Sequence, residues 1–171
     1  MTKYSAAAAV LESTSLGSTA LDPVALGSVA PIASGRPKRR AAMPPPVASL
    51  IGFTLLSIEP GRAVIELVAD ERHANPMGTV HGGILCDIAD AAMGIAYAGT
   101  LAEGESFTTV ELKINFLRPV WRGRLVATGH VVHGGRTTGL VECDVHDEEG
   151  RLVARASSTC MTLRGAMANG R

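Results

Sequence analysis

Residues 75–94 read NPMGTVHGGILCDIADAAMG and change from loop to helix near their middle. Asn75-Pro76 and Gly78 are turn formers, whereas residues 84–100 contain no proline and are rich in alanine and isoleucine. The pattern predicts a long apolar helix that begins at about Gly82. The first N–H groups of such a helix have no intrahelical acceptor, carry the positive end of the helix dipole, and are left open by glycine. This helix N-terminus is therefore a candidate oxyanion site.

Asp90 lies in the third turn of the predicted helix. The residues on its side of a helical wheel are Gly83, Cys86, Asp87, Met93, Gly94 and Tyr97, and those on the far side are Ile84, Leu85, Ile88, Ala91, Ala92 and Ile95. Aspartate is a poor helix former and is costly to bury without a partner. Asp90 is thus either a solvent-facing residue or part of a functional site. Asp87 is a rival acid, but its place nearer the helix N-terminus favours an ionised, structural carboxylate.

The spacing of Gly82 and Asp90 restricts any mechanism that uses both. They are eight residues apart, which is about 12 Å along a helix that rises ~1.5 Å per residue. A reacting carbonyl needs its oxyanion donor about 3 Å away and its base within roughly 3 to 6 Å. If both groups serve one reaction, they come from two copies of the helix. The sequence therefore predicts a symmetric dimer with two sites at its interface.

The motif as a whole resembles the hotdog-fold acyl-CoA thioesterases, in the phenylacetate-pathway and hydroxybenzoyl-CoA thioesterase-like branch. The resemblance rests on His81-Gly82-Gly83 opening an alanine-rich helix, an acid nine residues after His81, and Asn75 six residues before it. It covers roughly residues 47–164 and includes the later segment VELKINFLRP at residues 110–119. The resemblance implies an α+β hotdog fold, in which an antiparallel sheet wraps one long central helix. It also implies hydrolysis of an acyl- or aroyl-CoA, no cofactor beyond the CoA of the substrate, and a homodimer or a homotetramer made of two dimers.

The order of elements agrees with that fold. The predicted elements are a short helix at 47–51, strands at 53–58 and 62–68, the central helix, and strands at 108–116, 123–133, 138–146 and 151–162. One long apolar helix inserted into an antiparallel meander is an α+β pattern, because the sheet must wrap the helix to bury it.

The domain boundaries follow from composition. Residues 1–43 are rich in Ser, Ala and Gly and end in a basic cluster, so we predict a disordered extension with a solvated linker. Pro44-Pro45-Pro46 marks the start of a domain over residues 44–166, and residues 167–171 are predicted to be a flexible tail.

Composition excludes several classes of function. The chain has 171 residues, of which 46% are hydrophobic, so a sizeable core is expected. Sixteen basic and sixteen acidic residues cancel, which gives no argument for a nucleic-acid or membrane partner. The three cysteines lack metal-ligand spacing and cannot all pair within one chain, which favours a reducing, cytoplasmic setting. His130, His133 and His146 also lack ligand spacing, so no metal is expected.

Roles can be assigned to the candidate residues. Gly82 polarises the thioester carbonyl, with Gly83 as a possible second donor, while Asp90 either activates water or attacks directly to form a mixed anhydride. Asn75 and Thr109 are expected to orient water or substrate, because the resemblance places Thr109 where relatives can carry a hydroxyl near the attacking water. The resemblance also favours two turns as CoA contacts, which supply Arg118, Pro119, Arg136, Thr137 and Thr138. The other substrate-contact candidates are His81, Met93 and Gly94.

Three of these assignments leave alternatives. His81 more plausibly holds the Gly-Gly turn than acts in catalysis. Arg118, Arg122, Arg124 and Arg136 lie near strand ends, where they either meet CoA phosphates or are ordinary surface residues. The helix dipole lowers the pKa of Cys86, but that residue lacks an adjacent base and is predicted to be a packing residue.

Two other functions remain open from the sequence. A hotdog dehydratase or hydratase needs a histidine paired with an acid, and the spacing of His81 and Asp90 lies outside the motifs expected of those enzymes. A non-catalytic acyl-CoA sensor would use the same pocket, and the presence of Asp90 argues against it.

Overall fold

A computed structural model describes residues 44–169. The helices are α1 (Pro46–Ile51) and α2 (Gly82–Ala98), and the strands are β1 (Phe53–Glu59), β2 (Arg62–Ala69), β3 (Ser106–Phe116), β4 (Gly123–Gly134), β5 (Thr138–His146) and β6 (Leu152–Leu163). Both predicted helices and all six predicted strands are present. Short 3₁₀ helices span Glu71–His73, which was not predicted, and Gly165–Ala168, which continues past the predicted domain end at residue 166. The extension predicted for residues 1–43 lies outside the described residues.

The strands form one antiparallel sheet in the order β1-β2-β4-β5-β6-β3. This order corrects the simple meander predicted from the sequence, because β3 lies at the far edge beside β6 rather than between β2 and β4. The cause is α2, which connects β2 to β3 and packs against one face of the sheet. Crossing that face carries the chain from one side of the sheet to the opposite edge.

Helix α2 packs closely on the sheet through small and apolar side chains. Its buried residues are Leu85, Ile88, Ala89, Ala92, Met93, Ala96 and Tyr97. At the point of closest approach the sheet supplies Gly129, where an added Cβ would lie 2.5 Å from the carbonyl carbon of Ala92. A side chain at position 129 would therefore push the helix off the sheet.

The buried side of α2 differs from the helical-wheel prediction. Met93 and Tyr97, predicted on the open Asp90 side, are buried, whereas Ile84 and Ile95 are only half-buried. The reason is β3, whose Phe107 packs edge-on against Tyr97 with ring centroids 5.6 Å apart. Strand β3 thus covers the flank of the helix next to Asp90, and the open face is centred nearer Asp87.

Residues 44–169 contain neither a membrane-spanning helix nor a metal-binding cluster. Neither helix in that range is long and apolar enough to cross a membrane. The same range contains no cluster of three histidine, cysteine or acidic side chains arranged to hold a metal ion.

Candidate active site

The N-terminus of α2 is capped by the side chain of His81. The ring Nδ1 accepts a hydrogen bond from the Gly83 N–H at 2.9 Å, and the His81 carbonyl accepts from the Ile84 N–H at 3.0 Å. Within residues 44–169 the Gly82 N–H has no acceptor. The predicted second oxyanion donor, Gly83, is therefore engaged in this structure, and Gly82 is the N–H that remains open.

The loop before the helix is held by Asn75. The Asn75 Nδ2 donates to Thr79 Oγ1 at 2.9 Å, and its Oδ1 accepts from the N–H groups of Met77 at 2.9 Å and Thr79 at 3.3 Å. The backbone closes the same turn, since the Asn75 N–H donates to the Thr79 carbonyl at 2.7 Å. Both side-chain polar atoms of Asn75 thus order the loop, whereas from the sequence we expected them to orient water or substrate.

An open cleft of about 390 Å³ lies beside the helix N-terminus. It is bounded by the loop that contains Asn75, by the first turn of α2, and by the segment 116–120 after β3. Gly82, Arg118 and Pro119, which were predicted from separate motifs, line the same cleft. Phe116 also lines it, and its ring is so close to Gly82 that an added Cβ there would lie 2.9 Å away. A side chain at position 82 would therefore displace this ring.

Asp90 is paired with Thr109. The Thr109 Oγ1 donates to the Asp90 Oδ1 at 3.1 Å, and within the described residues the second carboxylate oxygen, Oδ2, has no hydrogen-bond partner. Thr109 faces the helix because Val110 is an extra residue in β3: Thr109 pairs with Cys160, and Glu111 pairs with Thr159. A bulge of this kind re-aims the side chains before it. Asp90 therefore has one oxygen fixed and one open.

Asp87 and Cys86, which lie near Asp90 on α2, both have raised pKa values. Burial and the charge of Asp90 both raise the pKa of Asp87. This corrects the expectation that the helix N-terminus would favour its ionised form. Burial, together with Asp87 and Asp90, also raises the pKa of the Cys86 thiol, against the decrease predicted from the helix dipole. Cys86 is therefore not an activated nucleophile.

Two residues near the site were missed by the sequence analysis. Cys160, fully buried, is the cross-strand partner of Thr109, and burial raises its pKa although the hydroxyls of Ser158 and Thr109 oppose that rise. His73, also buried, lies under the loop and bonds to the backbone at both ring nitrogens. No local pattern marks Cys160, whereas His73 could have been noticed as a histidine two residues before Asn75.

The open N–H and the carboxylate belong to different parts of the chain's surface. The cleft at Gly82 is not lined by Asp90 or Thr109. Strand β3 runs along the helix between them, since its Phe116 contacts Gly82 and its Thr109 contacts Asp90. The open Gly82 N–H and the Asp90 carboxylate thus lie on one helix, about 12 Å apart at ~1.5 Å per residue.

Comparison with known proteins identifies the family. Residues 77–154 match the sequence model of the thioesterase superfamily. The 1,4-dihydroxy-2-naphthoyl-CoA hydrolase of Listeria monocytogenes is 30% identical over 109 residues, which are 64% of this chain and 89% of the relative. The chain belongs to the thioesterase superfamily. The acyl-coenzyme A thioesterase PaaI of Escherichia coli is 32% identical to this thioesterase over 108 residues, which are 63% of this chain and 75% of the relative.

The solved structures agree with this assignment. The structure of the E. coli PaaI protein superimposes with a TM-score of 0.65 at 28% identity, covering 70% of this chain and 85% of that chain. The predicted family and the predicted hotdog fold are therefore confirmed, and the protein is a thioester hydrolase.

The four arginines of this thioesterase that were predicted near CoA phosphates fall into two groups. Arg124 forms an ion pair with Glu66 on the surface of the sheet, so its guanidinium group already has a carboxylate partner. Arg118, Arg122 and Arg136 are exposed, and the described part of the chain provides no carboxylate partner for them. Unpaired guanidinium groups are suited to phosphate.

The remaining predicted contact residues lie away from the cleft of the thioesterase. Met93 is fully buried in the core, which excludes substrate contact within this chain, and Gly94 packs against the ring of Phe107. The turn at residues 136–138 is bonded to β6, since the Thr137 carbonyl accepts from the Thr162 N–H at 2.8 Å. This turn lies near the C-terminal end of α2, because Gly139 packs under the Tyr97 ring.

Proposed function

We propose that the protein is an acyl-CoA thioesterase whose active site is shared between two chains of a dimer. The observation that carries the proposal is the presence of two incomplete half-sites on α2: an open Gly82 N–H in a cleft, and an Asp90–Thr109 pair outside it. The names of the relatives, a naphthoyl-CoA hydrolase and an acyl-CoA thioesterase, support CoA thioesters as the substrate class. No cofactor beyond the CoA of the substrate is needed.

The chemistry of the proposed site follows from these groups. The Gly82 N–H donates to the thioester carbonyl oxygen and stabilises the negative charge that develops there. The Oδ2 of Asp90 from the other chain takes a proton from water as the water oxygen bonds to the carbonyl carbon. The carbon–sulfur bond then breaks, CoA leaves with the proton held by Asp90, and the free acid is released. Thr109 holds Oδ1, so that Oδ2 faces the water.

Phosphate binding in this proposal also uses two chains. Arg118 lines the cleft at the start of α2, whereas Arg136 lies in the turn near the other end of that helix. A two-fold axis that brings Gly82 of one chain to Asp90 of another also brings opposite helix ends together. The unpaired arginines of both chains would then surround the phosphates of one CoA.

Mixing two inactive variants tests the shared site. Asp90→Asn removes the base, and Gly82→Val obstructs the donor because its Cβ meets the Phe116 ring. In a mixed dimer one site carries both defects and the other carries neither. With equal amounts and random re-association, about half of the dimers are mixed, so activity recovers to roughly a quarter of wild type.

A second mixture is the matched control. Asp90→Asn and Thr109→Val damage the same half-site, so each site of their mixed dimer keeps one defect and recovery is not expected. Both mixtures require variants shown to be folded dimers that exchange subunits. Failure of the Asp90–Gly82 mixture to recover activity, with that exchange demonstrated, would mean that each site is built within one chain.

The two possible roles of Asp90 give different labelling patterns. In a single turnover in H₂¹⁸O, a general base places one ¹⁸O atom in the released acid. A mixed anhydride that opens at the aspartyl carbon instead places the label in Asp90. Mass spectrometry of the acid and of the Asp90 peptide locates the label, and ¹⁸O in the Asp90 peptide identifies the mixed anhydride.

The hydratase and sensor alternatives receive no support from the site. The Nδ1 of His81 is the acceptor that caps Gly83, so this ring is not paired with an acid. The open oxygen of Asp90 suits a reaction with water rather than ligand sensing alone. Three free cysteines, Cys86, Cys143 and Cys160, fit the reducing, cytoplasmic setting that we propose.

A further inference from the structure

His73 lies buried beneath the loop that leads to α2, with 5% of its surface exposed. Its Nδ1 accepts from the Asp70 N–H at 3.0 Å, and its Nε2 lies 2.8 Å from the Ile51 carbonyl oxygen at the end of α1. An N–H points at Nδ1 and a carbonyl faces Nε2, so the ring is neutral with its proton on Nε2. The Asp70 Oδ1 is also 3.0 Å from Nδ1, but the backbone donor already occupies that nitrogen.

The backbone of His73 reaches the oxyanion donor through one further residue. The His73 carbonyl accepts from the His81 N–H at 2.8 Å, and the neighbouring Ala74 and Val80 form an antiparallel bridge. His81 in turn caps Gly83 through its ring. Gly82 lies between His81 and Gly83. A series of hydrogen bonds that begins at the Ile51 carbonyl and passes through His73 sets the positions of both neighbours.

From these contacts we propose that His73 is a positioning residue for thioester hydrolysis, because through His81 it fixes the Gly82 N–H in the orientation that the oxyanion requires. The inference rests on the function proposed above and extends it to a residue that does not line the cleft. The proposed role is geometric, and a displacement of about 1 Å in a reacting geometry can lower a rate by ~10².

Kinetics of three variants test the proposal. His73→Phe keeps the ring volume and removes both nitrogens, so kcat is expected to fall at least about tenfold while KM stays within about twofold. Tyr97→Phe is the matched control, because it removes a buried hydrogen bond, from Tyr97 Oη to Thr162 Oγ1 at 2.8 Å, near the other end of α2. Its kcat is expected to stay within about twofold of wild type. His73→Gln can restore the donor to the Ile51 carbonyl and is expected to recover part of kcat.

A readout independent of catalysis separates this inference from the proposed activity. Amide hydrogen exchange at Gly83 and Ile84, whose N–H groups bond to His81, is followed by NMR and is expected to accelerate in His73→Phe and to remain near wild type in Tyr97→Phe. If wild type releases no CoA from acyl-CoA, the proposed function fails, yet the exchange experiment still measures whether His73 holds the helix start. If His73→Phe does not fold, His73→Leu, which also lacks both ring nitrogens, carries the same comparison.

The proposal is overturned by either of two results. In one, a folded variant that lacks both ring nitrogens of His73 shows wild-type kcat and wild-type exchange at Gly83. In the other, Tyr97→Phe lowers kcat and accelerates glycine exchange as strongly as His73→Phe, which would mean that any loss of stability has the same effect.

Discussion

Asp87 and Asp90 lie one helical turn apart on α2 and have different surroundings. Asp90 receives a hydrogen bond from Thr109, which holds one of its oxygens. Asp87 receives no such bond within the described residues, and burial and the charge of Asp90 raise its pKa. Asp90 has one carboxylate oxygen fixed and the other open, so it is the better candidate for accepting a proton from water.

Replacing each acid by its amide tests this distinction. Asp90→Asn keeps the size of the side chain and removes the base, so kcat is expected to fall by roughly 10² or more with acyl-CoA still bound. Asp87→Asn is expected to change kcat far less. The measurement is CoA release under saturating substrate, and an equal or larger loss in Asp87→Asn would reverse the assignment.

The raised pKa of Asp87 also predicts a pH-dependent stability difference. Because its pKa in the folded protein is above the ordinary value of 3.8, the ionised carboxylate opposes folding. The protonated carboxyl group of Asp87 carries no such penalty. Its contribution to stability is therefore fully present below about pH 3.8 and is lost as the pH rises through the pKa that Asp87 has in the folded protein. Asp87→Asn is therefore expected to be more stable than wild type at pH 7, with the advantage shrinking toward pH 4. Urea midpoints at the two pH values measure it, and a constant difference would contradict the stated cause.

The residues of the site were only partly predictable from the sequence. Gly82 and Asp90 follow from local helix chemistry, which a single stretch of sequence contains. The engagement of Gly83 by His81, and of Asn75 by its own loop, depends on side-chain rotamers and on the path of the turn. Those features have no periodic pattern, so the sequence suggested free donors where the structure has occupied ones.

At the scale of elements, the bulge in β3 decides which residues face the helix. Leu112 faces the helix and Glu111 the outer surface, so unbroken alternation would place Thr109 outside with Glu111. The extra residue Val110 reverses the alternation, and Phe107 and Thr109 turn toward α2. Helix and strand positions were predictable because apolar periodicity is local, whereas a bulge is set by pairing with a distant strand.

Neighbouring threonines test the consequence of the bulge. Thr109→Val keeps the side-chain shape and removes the donor to Asp90, so kcat is expected to fall about tenfold. A tenfold change is ~1.4 kcal/mol, close to the lower end of the ~1.5–3 kcal/mol that one hydrogen bond to a charged group supplies. Thr108→Val is the matched control, because Thr108 faces the opposite side of the strand. A larger kcat loss in Thr108→Val would indicate that β3 pairs without the bulge.

The contact between α2 and β4 predicts a sensitive position for stability. Gly129→Ala places a Cβ 2.5 Å from the Ala92 carbonyl carbon, and overpacking of this kind lowers the free energy of unfolding by about 1–3 kcal/mol. Gly134→Ala, on the same strand, is the control, since an added Cβ there meets nothing within 4 Å. Thermal unfolding of both variants measures the difference, and equal midpoints would show that the helix can shift without loss.

At the scale of the whole molecule, every candidate site residue, together with the positioning residue His73, lies between residues 73 and 138. Removing residues 1–43 is therefore expected to leave folding and CoA release largely unchanged. The comparison is between full-length and truncated protein in circular dichroism and in steady-state kinetics. Insolubility or inactivity of the truncated chain would place the domain boundary earlier than residue 44.

The position of β3 at the far edge of the sheet also sets the order in which the molecule can form. Among the described residues its strand partner is β6, which follows all the other strands in the sequence, so Thr109 cannot pair with Cys160 until that residue has been synthesised. Pairings of such long sequence separation form late, because a long loop must close before they are stabilised. During synthesis on the ribosome, α2 and the β1–β2 hairpin can therefore associate first, while Asp90 still lacks its threonine. A nascent chain stopped before β6 would hold the helix without the Asp90–Thr109 pair, and the emergence of β6 would complete both the described sheet and that pair.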